Sequence, residues 1–225
     1  IRDRFHNNLP QWGLETKLPE KGFSLLETEF PSIKAGPIGQ VPEENVLHYP
    51  KASGIASRSP YTKEINYSEV YPNWRATYQM LGLYNKQGGL YIASHDPTGS
   101  VKKISTTTDQ EKVNFQFNWP APNMGIDNNG YKLPGNVVLG YVEGTWYEAA
   151  MIYQAWVKHQ APWWPKTPSK RPSRIQDIAV WVQHETGGDL ETLVEEVLDF
   201  AEFMRVPIGF HWYVWHKIPF DNDYP

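Results

Sequence analysis

Two nearly continuous apolar runs, residues 177–185 (DIAVWVQHE) and 208–216 (IGFHWYVWH), stand on either side of one amphipathic segment. Between them Gly187-Gly188 turns the chain, Asp189 is placed to cap a helix, and Pro207 closes it. Leu190, Leu193, Val194, Val197, Leu198, Ala201 and Met204 recur at helical spacing, which predicts one stripe facing a core. Strand, helix, strand at these lengths predicts a βαβ unit with parallel strands and a right-handed crossover. Strands that are apolar at almost every position are those covered on both faces. Two such strands cannot bury themselves. They either extend a sheet elsewhere in the chain or open a larger α/β domain. The upstream residues offer no helix-covered sheet, so the second is expected, with the remaining strands beyond residue 225.

Upstream of residue 145 the pattern is that of antiparallel β-structure. Residues 74–84 (WRATYQMLGLY) and 90–95 (LYIASH) are apolar runs joined by Asn85-Lys86-Gln87-Gly88-Gly89, a hairpin with a glycine-ended loop. His95-Asp96-Pro97-Thr98-Gly99 is a turn, since proline fixes one torsion and glycine accepts the reversed one. Residues 101–108 and 112–119 are the next strands. In the second, Val113, Phe115, Phe117 and Trp119 alternate with polar residues, as a half-buried strand requires. Residues 136–144 (NVVLGYVEG) add another, and weaker strand signals lie around 22–29 and 54–58. Strands at this spacing with proline and glycine turns predict a mainly β fold, an antiparallel sandwich over residues 1–145.

The period then changes. Thr145-Trp146-Tyr147-Glu148 fits a capping box, and Trp146, Ala149, Ala150, Tyr153, Trp156 and Val157 form one helix face reaching about His159. After Pro162 comes WWPKTPSKRPSR (163–174), with three prolines and four basic residues, read as a stiff exposed linker. The expected organisation is therefore sandwich (1–145), connecting helix and proline-rich linker (146–174), and the start of an α/β domain (175–225). A net charge of −4 argues against nucleic acid, whose phosphates call for a basic face. No apolar run approaches the roughly 18 residues of a spanning helix. The absence of cysteine removes thiol catalysis, disulfides and thiolate metal sites. Ten tryptophans and thirteen tyrosines suit either an aromatic-rich core or surfaces that stack on sugar rings.

Three segments carry a resemblance. GFHWYVWHKIPFDNDYP (209–225) resembles the opening of the catalytic (β/α)8 barrel in bacterial glycoside-hydrolase-like proteins, similar in layout to the endo-α-N-acetylgalactosaminidase group. GGLYIASHDPTGSVKK (88–103) resembles the β-sandwich that precedes that barrel, and GTWYEAAMIYQAWVKHQ (144–160) the helix between them. The resemblance implies an incomplete barrel opened by the βαβ unit, since a barrel needs about 250 residues. It implies a secreted or periplasmic glycoside hydrolase acting on a polysaccharide or glycan, without a cofactor. In such families the acid and the nucleophile come from later strands, so both are expected downstream of this chain.

Glycoside hydrolysis usually needs two carboxyl groups across the scissile bond, and barrel active sites gather at the C-terminal ends of strands. Here those ends hold Gln183, Glu185, Trp215 and His216, followed by Asp221 and Asp223. Alternation puts Ile178, Val180 and Val182 on one face and Ala179, Trp181 and Gln183 on the other, which would face the barrel axis. Trp215 can stack on a pyranose and His216 can exchange hydrogen bonds with hydroxyls, so both are expected substrate contacts together with Gln183, Asp221 and Asp223. Glu185, Asp221 and Asp223 are weaker as catalytic groups, because loop-end and turn roles explain them equally. No metal is expected: His211 and His216 fall on opposite strand faces. The alternative to a hydrolase is a complete, non-catalytic carbohydrate-binding or structural sandwich protein, which aromatic richness alone would satisfy.

Overall fold

The computed structural model describes residues 9–18, 21–109, 111–164, 173–184 and 190–212. Its strands begin with β1 (Gln11–Trp12), β2 (Glu15–Thr16), β3 (Glu27–Ala35), β4 (Val46–Tyr49) and β5 (Ile55–Arg58). They continue with β6 (Asn66–Tyr71), β7 (Met80–Tyr84), β8 (Gly88–His95), β9 (Lys102–Thr108) and β10 (Val113–Pro120). The last four are β11 (Tyr131–Lys132), β12 (Asn136–Glu143), β13 (Val180–His184) and β14 (Ile208–Trp212). The helices are α1 (Trp146–Gln160), α2 (Ser173–Gln176) and α3 (Leu190–Met204).

Two compact units divide the chain, Ile1–Trp164 and Pro165–Pro225. The first is an antiparallel β-sandwich. One sheet runs β1-β12-β8-β7-β4-β5 and the other β3-β10-β9-β6, with a small β11-β2 pair beside them. The alternating residues of β10, Val113, Phe115, Phe117 and Trp119, all enter the core between the sheets, as their spacing predicts. Each such side chain contributes roughly 1.5–3 kcal/mol relative to exposure. The six-stranded sheet differs because both its faces are covered. In β7 and β8, Leu81, Leu83 and Ile92 point into the same core, while Met80, Tyr84, Tyr91 and Ala93 point into a second one. That second layer is closed by Ala149, Ile152, Tyr153, Trp156 and Val157 of α1. The capping box is present: the Glu148 carboxylate accepts from the Thr145 backbone N–H at 2.7 Å, and the Thr145 hydroxyl accepts from the N–H of Tyr147 at 3.3 Å. Such a cap stabilises a helix by about 1 kcal/mol.

Two segments depart from the pattern. Residues 74–79 are not strand. Asn73 and Ala76 bridge each other, and the Asn73 side chain accepts from the Arg75 N–H at 3.3 Å, closing a turn before β7 can begin. Trp74 is left 60% exposed, with Lys51 and Arg75 against its ring. The weak signal around 22–29 becomes the nine-residue β3, displaced toward the C-terminus. Pro31 interrupts its pattern, yet the strand persists because it borders its sheet and its register with β10 shifts at that point.

In the second unit β13 and β14 pair in parallel, Val180 opposite Ile208 and Val182 opposite Phe210, with α3 between them in sequence. The helical stripe is narrower than its spacing predicts. Leu193 is buried and Val197, Ala201 and Met204 are half-buried, whereas Val194 and Leu198 are exposed. No described helix is long and apolar enough to cross a membrane.

Candidate functional site

The parallel pair sets Gln183 directly beside His211. Both are exposed and share a face with Trp181, which is 60% exposed. Trp181 lies against Gly209, its opposite number in the ladder: a Cβ there would meet the indole at 2.6 Å, so only glycine admits the ring. The opposite face carries Val180, Val182, Ile208 and Phe210, all half-buried. Gln183 thus stands on the face where the alternation puts it. Trp215, His216, Asp221 and Asp223, and the weaker candidate Glu185, lie outside the described residues.

A second feature lies wholly within the sandwich unit. The end of β6, residues 77–78, the 96–100 loop, α1 and the turn after α1 enclose an open cleft of about 490 Å³, with Tyr71, Tyr78, Tyr153, Trp163 and Trp164 in its walls. The tyrosine rings are supported from behind. The Tyr78 hydroxyl shares a 2.8 Å hydrogen bond with His48 Nε2, and the Tyr153 hydroxyl accepts from the Gln79 N–H at 3.2 Å. Tyr153 also packs on Trp156, which stacks on His95 at 4.6 Å. Burial pushes the His48 imidazole down to about 4, so it is neutral at pH 7. Burial likewise raises the Tyr78 hydroxyl to about 12 and pushes those of Tyr71 and Tyr153 up, keeping all three protonated. Trp163 and Trp164 stand on a turn in which the Trp164 N–H donates to the Ala161 carbonyl at 3.2 Å.

The 96–100 wall rests on a buried ion pair. The Asp96 carboxylate accepts from the backbone N–H and hydroxyl of Thr98 (2.9 and 2.6 Å) and from those of Ser100 (2.8 and 2.5 Å). It also accepts from Lys102 Nζ at 3.0 Å, and both side chains of that pair are fully buried. Burial alone would raise the Asp96 carboxyl, but the Ser100 and Thr98 hydrogen bonds and the Lys102 charge outweigh it and hold it at about 2. Burial lowers the Lys102 ammonium to about 8 against the opposing pull of Asp96. Lys102 donates in addition to Gln79 Oε1 and the Ser100 carbonyl, and lies over the rings of Tyr71 (4.6 Å) and Trp119 (4.5 Å). Gly99, at φ +64°, completes the turn. A Cβ there would sit 3.5 Å from the Tyr71 hydroxyl and 3.8 Å from Trp163 Nε1, so the cleft narrows onto bare backbone at that point.

The pattern of residue types foretold none of this cleft. Trp163 and Trp164 fall at the start of the segment read as linker, and Asp96 within what reads as an ordinary turn. Lys102 looks like an outward polar residue of a strand. The available signal was the adjacent tryptophan pair immediately after a helix-stopping proline, an uneconomical choice for an exposed linker.

Against known proteins the likeness is broad and distant. The chain is 27% identical over 223 residues to a Bacteroides thetaiotaomicron protein named "Putative glycoside hydrolase", covering 96% of this chain and 31% of that protein. A Monosiga brevicollis protein that also bears a "Putative glycoside hydrolase" name is 24% identical over 216 residues, covering 82% of this chain and 18% of its own length. The chain therefore spans less than a third of each of these relatives. Residues 131–225 match a family described as a domain of unknown function, DUF6259. The likeness is to glycoside-hydrolase-like proteins.

Proposed function

We propose that this chain is the N-terminal portion of a glycoside hydrolase acting on a complex polysaccharide or glycan outside the cytoplasm, as a secreted or periplasmic protein. In this reading the sandwich precedes a (β/α)8 barrel, in the layout of the endo-α-N-acetylgalactosaminidase group, and β13 and β14 are its first strands. The observation that carries the proposal is a likeness running along 96% of this chain to a protein named "Putative glycoside hydrolase" and about three times as long. The parallel pair supports it independently. One face carries half-buried apolar side chains, and the other presents Trp181, Gln183 and His211, as strands around a barrel axis would.

The residues take the following roles. Gln183, Trp215, His216, Asp221 and Asp223 contact the sugar at the C-terminal ends of the first strands. The carboxylic acid and the nucleophile or base, which must flank the scissile bond about 5–9.5 Å apart, come from strands that follow. No described residue is assigned either part.

The gene product in its natural length and residues 1–225 alone are to be assayed side by side on polysaccharides and released glycans, reading new reducing ends. Sugar release by the longer protein and none by residues 1–225 is the expected result. Hydrolysis by residues 1–225 alone, or none by the longer protein across the panel, would overturn the proposal.

A further inference from the structure

The sandwich cleft has a composition that neither a core nor a catalytic centre requires. Trp163 and Trp164 remain 47% and 37% exposed although two large rings there could have been buried. The Tyr71 hydroxyl and the Trp163 indole N–H converge near Gly99, and neither makes a hydrogen bond to another described residue. Thr98 and Gln154 are exposed lining residues: the Thr98 hydroxyl, whose proton goes to Asp96, can still accept, and the Gln154 amide nitrogen can donate. Among the described residues, no carboxylate and no cation lines the cleft. Asp96 and Lys102 are fully buried behind the loop and neutralise each other, and the exposed Lys158 ammonium donates to the Gln154 amide oxygen at 2.8 Å. The tyrosines are protonated at neutral pH, so the walls are uncharged throughout.

Such a surface selects its ligand by chemistry. No described lining residue offers an ion an opposite charge to offset its lost hydration. A purely apolar ligand would leave the Tyr71 hydroxyl and the Trp163 indole N–H unpartnered. A pyranose satisfies both demands, because its C–H faces are apolar enough to lie on aromatic rings while its hydroxyls project at the edges to exchange hydrogen bonds. The volume falls within the roughly 300–1,000 Å³ of small-molecule sites. Rigid walls lower the ordering cost of binding, and here the ion pair, the His48–Tyr78 bond and the Tyr153–Trp156–His95 stack supply that rigidity. We propose that this cleft is a sugar-binding site for an uncharged glycan segment, held between the Trp163–Trp164 turn and the Tyr71–Gly99 wall, and that it binds without cleaving. Glycan as the ligand class rests on the function proposed above. Binding without cleavage accords with the described lining, which holds no carboxyl pair.

The test is binding rather than turnover, so it fails independently of the hydrolase proposal. Residues 1–225 are applied to an array of neutral gluco-, manno-, xylo- and galacto-oligosaccharides and N-acetylhexosamine glycans, with uronate and sialylated counterparts as charged controls. The strongest neutral binder is then titrated calorimetrically. Trp163→Ala and Trp164→Ala each weaken its binding by roughly tenfold or more, whereas Trp74→Ala, at a more exposed ring outside the cleft, leaves it unchanged. Far-ultraviolet dichroism and thermal melting verify that each variant is folded, and ligand-induced quenching of tryptophan fluorescence in the unmutated protein provides a readout that needs no variant. No neutral binder, preference for the charged controls, or equal affinity in both cleft variants would each refute the site.

Discussion

The six-stranded sheet and the β13–β14 pair look alike as strings of residues and behave differently in space. MLGLY in β7 and VWVQH in β13 are both apolar runs of the kind associated with strands covered on both faces. In β7 that expectation is met within one unit: every residue is buried, one face by the four-stranded sheet and the other by α1. In the β13–β14 pair one face is half-buried and the other leaves Trp181 and Gln183 exposed. The difference teaches that an apolar run records how much cover a strand is built for, while the cover itself comes from other elements.

Substitutions can break or sharpen this contrast. The largest effect is expected from Trp156→Ala, which empties the second core layer beneath the His95 stack and costs about 3–5 kcal/mol in urea unfolding. A loss of similar order follows Lys102→Met, because Asp96 is left buried without its cation. The double variant Lys102→Met/Asp96→Asn should recover part of that loss, and a double variant no better than the single one would show that the carboxylate is not the cause.

A smaller effect is set by pH. Folded His48 is held at about 4 by burial, against 6.5 when exposed. As pH falls below 6.5 the unfolded chain takes up a proton that the folded chain refuses, so stability declines down to about pH 4, by roughly 3 kcal/mol. His48→Gln should flatten this part of the profile in unfolding measured at pH 7 and pH 4. Below it Asp96 adds a second decline, as the carboxyl that folding holds at about 2 protonates in the unfolded chain from 3.8 downward. The smallest effect is expected at Trp181→Ala, within about 0.5 kcal/mol as for other exposed side chains. A cost approaching that of Trp156→Ala would mean the two faces are equally covered, and the contrast would fail.

What could be read in the residues was whatever depends on periodicity. The alternation in β10, the Thr145–Glu148 cap and the parallel strand–helix–strand all follow from spacing, and all are present. What could not be read depends on residues far apart in the chain. β3 hides behind Pro31 because its place at a sheet border, which makes a proline tolerable, is a tertiary fact. Lys102 is polar by type and buried by circumstance, since its partners Asp96 and Gln79 and the rings of Tyr71 and Trp119 are brought together only by folding. Of the substrate contacts expected from the sequence, Gln183 alone falls among the described residues, beside His211.

The borders of the larger sheet carry a consequence of their own. Among the described residues it ends at the two-residue β1 on one side and the four-residue β5 on the other. Strands this short expose few unpaired amide and carbonyl groups, so a neighbouring molecule finds little ladder to extend. Thus a sheet whose broad faces are sealed by its own sandwich also presents abbreviated rims, and edge-to-edge growth into fibrils is discouraged by geometry rather than by charge.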